Sequence, residues 1–167
     1  MWSSEKLGLV VAAILLLLAS CGFQLRGEQP MGLKSIYLST AMPSQVAVQI
    51  RRSLAAGPTK LAPTAADAEA QLRILTETRE KLIQSITGTG RVFDFLLTLR
   101  VSYTLTDAKE EPLIPEAVVE VRRVITYSES APLAKEAEEA LLYKDMQADA
   151  AAQILRRIAV VKHANPP

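Results

Sequence analysis

Between Phe93 and Leu105 every second residue is apolar or aromatic: Phe93, Phe95, Leu97, Leu99, Val101, Tyr103 and Leu105. Asp94, Leu96, Thr98, Arg100, Ser102 and Thr104 lie between them. Side chains alternate faces along an extended chain, so a period of two this long specifies a β-strand with one buried face and one open face. At about 3.4 Å per residue the run spans roughly 45 Å, longer than the usual strand, and a bend or bulge is expected along it. The rest of the chain must supply partner strands and an apolar layer for one face.

Both flanks provide partners. The turn signal Thr87-Gly88-Thr89-Gly90 precedes the strand. Upstream of it, Gln71 to Ile86 carries Leu72, Ile74, Thr76 and Thr78 in alternation, then Leu82, Ile83 and Ile86. Glu77, Arg79, Glu80 and Lys81 are good helix formers and make helix a rival, but the threonines and the glycine turn favour a strand. Downstream, the charged, proline-containing turn Asp107 to Pro115 leads to Ala117, Val119, Val121, Ile125 and Tyr127. These alternate with Val118, Glu120, Arg122, Val124 and Thr126, and Arg123 interrupts the apolar set. A short loop makes antiparallel pairing the default. Leu33 to Leu38 reads as a further strand.

Two segments have helical spacing. After the break at Pro43 and the N-cap candidate Ser44, Val46, Ala47, Ile50 and Leu54 recur on one face until Gly57-Pro58. From Glu136 to Ile158, Leu142, Met146, Ala150, Ile154 and Ile158 run at spacing four, with Leu141, Ala148, Ala152 and Leu155 widening the stripe. Thr59 to Ala70 reads as connection. The order β-α-β-β-β-α predicts an α+β two-layer sandwich, with both helices on one face of a four-stranded, mostly antiparallel sheet. On the other face Val92, Leu96, Val118 and Val124 lie among Thr98, Ser102, Glu120 and Thr126, a mixed surface that another protein's wall could cover.

The N-terminal segment sets the address. Leu7 to Ala19 is an apolar run of 13 residues behind Lys6, short of the about 20 needed to span a bilayer and suited to a secretory signal. Leu18-Ala19-Ser20-Cys21 resembles the bacterial lipobox, in which the cysteine becomes the first mature residue and carries an S-diacylglycerol and an N-acyl chain. An ordinary signal peptide or an uncleaved signal anchor would not require a cysteine at this point. Cys21 is the single cysteine, so no intramolecular disulfide is available. Gly22 follows where an aspartate would resemble an inner-membrane retention signal, and the outer membrane is therefore expected. The chain divides into a signal peptide (1–20), a lipidated N-terminus and tether (21–32), a single domain (33–160) and a frayed tail (161–167).

Cleavage before Cys21 removes Glu5 and Lys6 and leaves 18 basic and 17 acidic side chains. That balance argues against general nucleic-acid binding, which calls for a marked basic excess. An enzyme reading also fails. His163 is the single histidine and lies near the C-terminus, so neither a metal set nor a Cys-His or Ser-His pair can be assembled. Gly88-Thr89-Gly90 lacks the lysine and following helix of a phosphate loop. Asp94, Asp107, Glu110 and Glu111 fall in turns or at a strand start, where solvated charge is ordinary. No cofactor is expected beyond the covalent lipid on Cys21.

Several pieces, in order, resemble the LPS-assembly lipoprotein family LptE. They are Cys21-Gly22-Phe23-Gln24-Leu25-Arg26-Gly27, the Asp94-Phe95 pair opening the strand that ends Val101-Ser102-Tyr103-Thr104-Leu105, and Leu133-Ala134-Lys135-Glu136 leading into the helix from Leu142 to Arg157. Phe95 stands where members often carry tyrosine. The resemblance implies a non-enzymatic outer-membrane subunit, on the periplasmic side, that plugs an LptD-type β-barrel, assists its assembly and binds lipopolysaccharide during insertion into the outer leaflet. It also makes Lys135, in the Leu-Ala-Lys motif, and Arg91, at the turn, the candidate lipopolysaccharide-binding residues. Arg100, Arg122 and Arg123 on the sheet are further candidates only because cations are the natural counter-groups of lipid phosphates. A solvated surface charge is the bland account of each. The competing reading is a free-standing lipoprotein that binds or carries a lipid in a closed apolar cavity.

Overall fold

A computed structural model describes residues 32–128 and 130–164. The signal segment, Cys21 and the tether up to residue 31 lie outside the described residues. The elements are β1 (Ser35–Thr40), α1 (Gln45–Ala56), β2 (Lys60–Leu61), β3 (Ala70–Ile86), β4 (Val92–Asp107), β5 (Pro112–Thr126) and α2 (Pro132–Ala164). They form the expected α+β sandwich, with one correction. The sheet has five strands, in the order β2-β1-β3-β4-β5. The added strand, β2, is two residues within the segment read as connection. Two residues carry no periodicity, and their pairing to Ser35 and Ile36 in parallel register is a purely tertiary outcome.

The strand β1 also pairs in parallel with β3, from Ile36↔Ala70 to Thr40↔Ile74. The crossover between β1 and β3 contains α1, as parallel neighbours require. The three long strands are antiparallel, with β4 between β3 and β5. Leu97, Leu99, Val101, Tyr103 and Leu105 of β4 are buried together with Val119, Val121 and Ile125 of β5. The alternation of β4 therefore sets the helix-facing side as the sequence predicts. Val46, Ala47, Ile50 and Leu54 of α1 and Met146, Ala150, Ile154 and Ile158 of α2 close the core from the other layer.

Three details depart from the pattern reading. First, α2 starts at Pro132 and runs to Ala164, so the expected tail is helical up to that residue. Second, Leu141 lies 66 % exposed, and the buried stripe widens through Tyr143, Gln147 and Ala151 instead. The third controls the site. Strand β3 has a bulge between Ile74 and Thr76, so the side chains change parity there. Leu72 and Ile74 face the helices, and beyond the bulge Glu77, Arg79, Lys81 and Ile83 occupy the helix-facing positions opposite Val101, Leu99, Leu97 and Phe95. Thr76 and Thr78, read from the sequence as continuing the inward set, are turned to the open face, where Thr76 Oγ1 meets Ser102 Oγ at 2.7 Å.

This parity change joins β3 to α1. The expected N-cap is present: Ser44 Oγ accepts from the Ala47 N–H at 3.0 Å. The same hydroxyl donates to Glu77 Oε2 at 2.6 Å, and that oxygen also accepts from the Val46 N–H at 3.0 Å. The second oxygen of Glu77 accepts from Gln147 Nε2 of α2 at 3.4 Å. A carboxylate with only 7 % of its side chain exposed thus satisfies an orphan helix N–H and lies at the positive end of the helix dipole.

Candidate functional site

The helix layer is shorter than the sheet. Ile83 of β3 and Phe93 of β4 both stand on the helix-facing side, yet they are 59 % and 50 % exposed. The far end of the β3–β4 hairpin therefore projects past the helices with apolar side chains uncovered. Its turn is closed by hydrogen bonds from the Thr87 N–H to the Arg91 carbonyl (2.7 Å) and from the Gly90 N–H to the Thr87 carbonyl (2.9 Å). Gly90 has φ +81°, a left-handed conformation that glycine adopts without strain.

Where the covered and uncovered parts of the sheet meet, the first turns of α2 lie beside a pocket of about 120 Å³. Lys81, Phe95, Ile125, Tyr127, Lys135 and Glu139 are among its lining residues. Phe95 and Tyr127 pack edge to face, with ring centroids 5.7 Å apart, the arrangement preferred by the aromatic quadrupole. Lys81 Nζ sits 4.5 Å from the centre of the Phe95 ring and forms an ion pair with Glu139. Lys135 Nζ donates to Glu138 Oε2 at 2.8 Å, one turn along the same helix. Nearby, the Tyr143 hydroxyl donates to the Glu80 carbonyl at 3.0 Å and fastens α2 to β3. Burial, and then the Glu139 carboxylate, push the Tyr143 phenol above its ordinary pKa.

The predicted cations separate into two groups. Arg100 donates to Glu120 Oε2 from Nη2 at 2.7 Å and from Nε at 3.1 Å, and Arg122 pairs with the other oxygen of the same carboxylate. The hydrogen bond from Arg100 holds the Glu120 carboxyl below its usual pKa, assisted by the charge of Arg122. Arg123 reaches Asp149 of α2 at 3.0 Å, which explains why a cation interrupts the apolar set of β5. These three arginines have carboxylate partners within the fold and do not line the pocket that Lys135 lines. Arg91 stands in the hairpin turn, four residues from Phe95 along the chain and so about 14 Å further out at most; it does not line the pocket with Lys135.

Lys81 was not identified as a site residue by pattern. Under strict alternation from Leu72 it belongs on the open face, and only the bulge at Leu75 turns it toward α2. The signal available was a lysine near a run whose alternation fails between Thr78 and Leu82.

On the open face Val118 and Val124 are 50 % and 51 % exposed, while Thr98 and Ser102 are buried between the neighbouring strands. Leu82, Leu96 and Val124 stand in one cross-strand row. Among the described residues no group of acidic, histidine or cysteine side chains could hold a metal ion, and no helix is long and apolar enough to cross a membrane.

A family model described as LptE, lipopolysaccharide-assembly, matches residues 33–158. The LPS-assembly lipoprotein LptE of Pectobacterium atrosepticum is 27 % identical over 159 residues, covering 92 % of this chain and 84 % of that protein. Among solved structures, lipoprotein B from Nitrosomonas europaea superposes with a TM-score of 0.74 at 33 % identity, covering 86 % of this chain and 94 % of that one. The rare lipoprotein B from Shewanella oneidensis superposes with a TM-score of 0.70 at 26 % identity, over 78 % and 97 % of the two chains.

Proposed function

This chain belongs to the LptE family of lipopolysaccharide-assembly proteins, and from that membership we propose that it is a lipid-anchored, non-enzymatic subunit that plugs an LptD-type outer-membrane barrel and contacts lipopolysaccharide during insertion. The anchor is the acylated Cys21, and the domain hangs from it on the periplasmic side. The observation that carries the lipopolysaccharide contact is the pocket at the start of α2, where Lys135 and Lys81 flank Phe95 and Tyr127. Lipid A joins phosphates to acyl chains. Lysines supply counter-charge to the phosphates, and the uncovered Ile83 and Phe93 beside them offer an apolar landing for the chains.

The size of the pocket favours a contact over a carrier. A volume of about 120 Å³ is well below the about 300–1,000 Å³ of cavities that enclose a drug-sized ligand, and a lipid is larger still. One phosphate-bearing corner fits; the rest of the lipid lies on the surface or against the barrel.

The test is Lys135→Asp. It reverses a charge at the pocket while leaving the buried stripe of α2 unchanged. Binding of labelled lipopolysaccharide to the full chain is expected to weaken by about tenfold or more, the scale of one lost charge-assisted contact plus a new repulsion. Co-purification with the barrel is expected to change little. Unchanged lipopolysaccharide binding would remove Lys135, and with it this pocket, from the site.

A further inference from the structure

The pocket contains its own competitor for an anionic ligand. It is lined by two lysines, Lys81 and Lys135, and by two glutamates, Glu136 and Glu139, so its formal charge is balanced. Glu139 is bound to Lys81, and Glu138 holds Lys135. A phosphate approaching this pocket meets cations whose charge is already satisfied. A neutral pocket of this kind binds an anion only by exchanging partners.

We propose that Lys81 is a second phosphate-binding cation of the Lys135 pocket and that Glu139 is its intramolecular stand-in, released when the phosphate of an acylated lipid takes its place. This rests on the lipopolysaccharide-contact reading above. Three features support the exchange. The Lys81 side chain is 39 % exposed and that of Glu139 23 %, so the pair stands at the surface, where an ion pair contributes little net stability and is readily given up. The Lys81 ammonium has a second contact besides Glu139, 4.5 Å from the centre of the Phe95 ring, and a cation–π attraction of this kind favours the same place for it when the carboxylate leaves. Ile83 lies two residues along β3 on the same side as Lys81, opposite Phe95 in the register. It gives the acyl part of the ligand a surface next to the phosphate.

A purely structural ion pair and an exchange latch make opposite predictions for its two ends. The full-length, lipidated chain in detergent carries Lys81→Met, which keeps an unbranched stem against Phe95, or Glu139→Gln, which keeps the shape of the acid. Affinity is measured for labelled lipopolysaccharide and for the same lipid with its phosphates removed, with Lys135→Asp run alongside and thermal melting used to verify folding. We expect Lys81→Met to weaken binding by about tenfold and Glu139→Gln to tighten it by several-fold, as a competing charge is lost. Both effects should vanish with the dephosphorylated lipid. If both variants weaken binding alike, or neither changes it, while Lys135→Asp still weakens it, the exchange is wrong and the Lys135 contact stands. If Lys135→Asp also leaves binding unchanged, both the exchange and the pocket reading fall.

Discussion

Glu77→Leu is expected to lower the stability of the domain by about 3 kcal/mol, measured as a shift of the urea midpoint at unchanged slope. Glu77 is a nearly buried carboxylate that serves two other elements. It accepts from the Ser44 hydroxyl and the Val46 N–H at the start of α1, and from Gln147 of α2. Losing an N-terminal helix partner costs about 0.5–2 kcal/mol, and each hydrogen bond to a charged group contributes about 1.5–3 kcal/mol. Gln147, only 5 % exposed, would also lose its acceptor. Burial of the leucine side chain offsets part of the sum. Glu77→Gln should cost less, about 1 kcal/mol, because its amide oxygen can still accept from one of these donors. An equal loss in the two variants would show that the site requires the negative charge and that a neutral oxygen acceptor does not replace it.

Cys21→Ser is expected to have the largest effect on location. With an ordinary cleavable signal replacing residues 1–20, and with the protein made in excess over any barrel, nearly all of the variant should move from the membrane fraction to the soluble periplasmic extract. Each buried CH₂ of an acyl chain contributes about 0.8 kcal/mol; one chain gives marginal binding, and two or more give stable anchoring. Three chains on one cysteine would make the native protein effectively irreversible on the membrane. Mass spectrometry of the N-terminal peptide gives the direct readout, a lipid mass on Cys21 that is missing from the serine variant. Retention of the unlipidated variant at the wild-type level would show that another part of the chain holds it to the membrane.

The long strands and both helices were legible because each buries one face, and burial imposes a period that the residues must obey. The alternation of β4 and the spacing-four stripe from Met146 to Ile158 are such records. What the pattern could not carry was set by contacts distant in sequence. The pairing of Lys60 and Leu61 with β1 involves too few residues to leave a trace. The bulge at Leu75 is a local register event, and one extra residue reverses the parity from Thr76 to Ile83, where further register shifts follow. Glu77 and Lys81 were invisible for that reason: as helix formers in a charged stretch they gave no sign of facing inward. The candidate cations show the same limit. Arg100, Arg122 and Arg123 have carboxylate partners that only the sheet register and the packing of α2 reveal, whereas Lys135 stands at a pocket whose aromatic wall comes from two other strands' ends.

The proposed plug role requires a barrel that contains the chain. The most direct measurement is therefore detergent extraction of outer membranes carrying the full chain with a C-terminal tag, followed by affinity capture and size-exclusion chromatography. Wild type and Lys135→Asp should both elute with a large β-barrel protein in one-to-one stoichiometry, since the barrel contact is assigned to the folded surface as a whole and the lysine to the lipid. Elution of the wild-type lipoprotein by itself, with no barrel partner, would contradict the account.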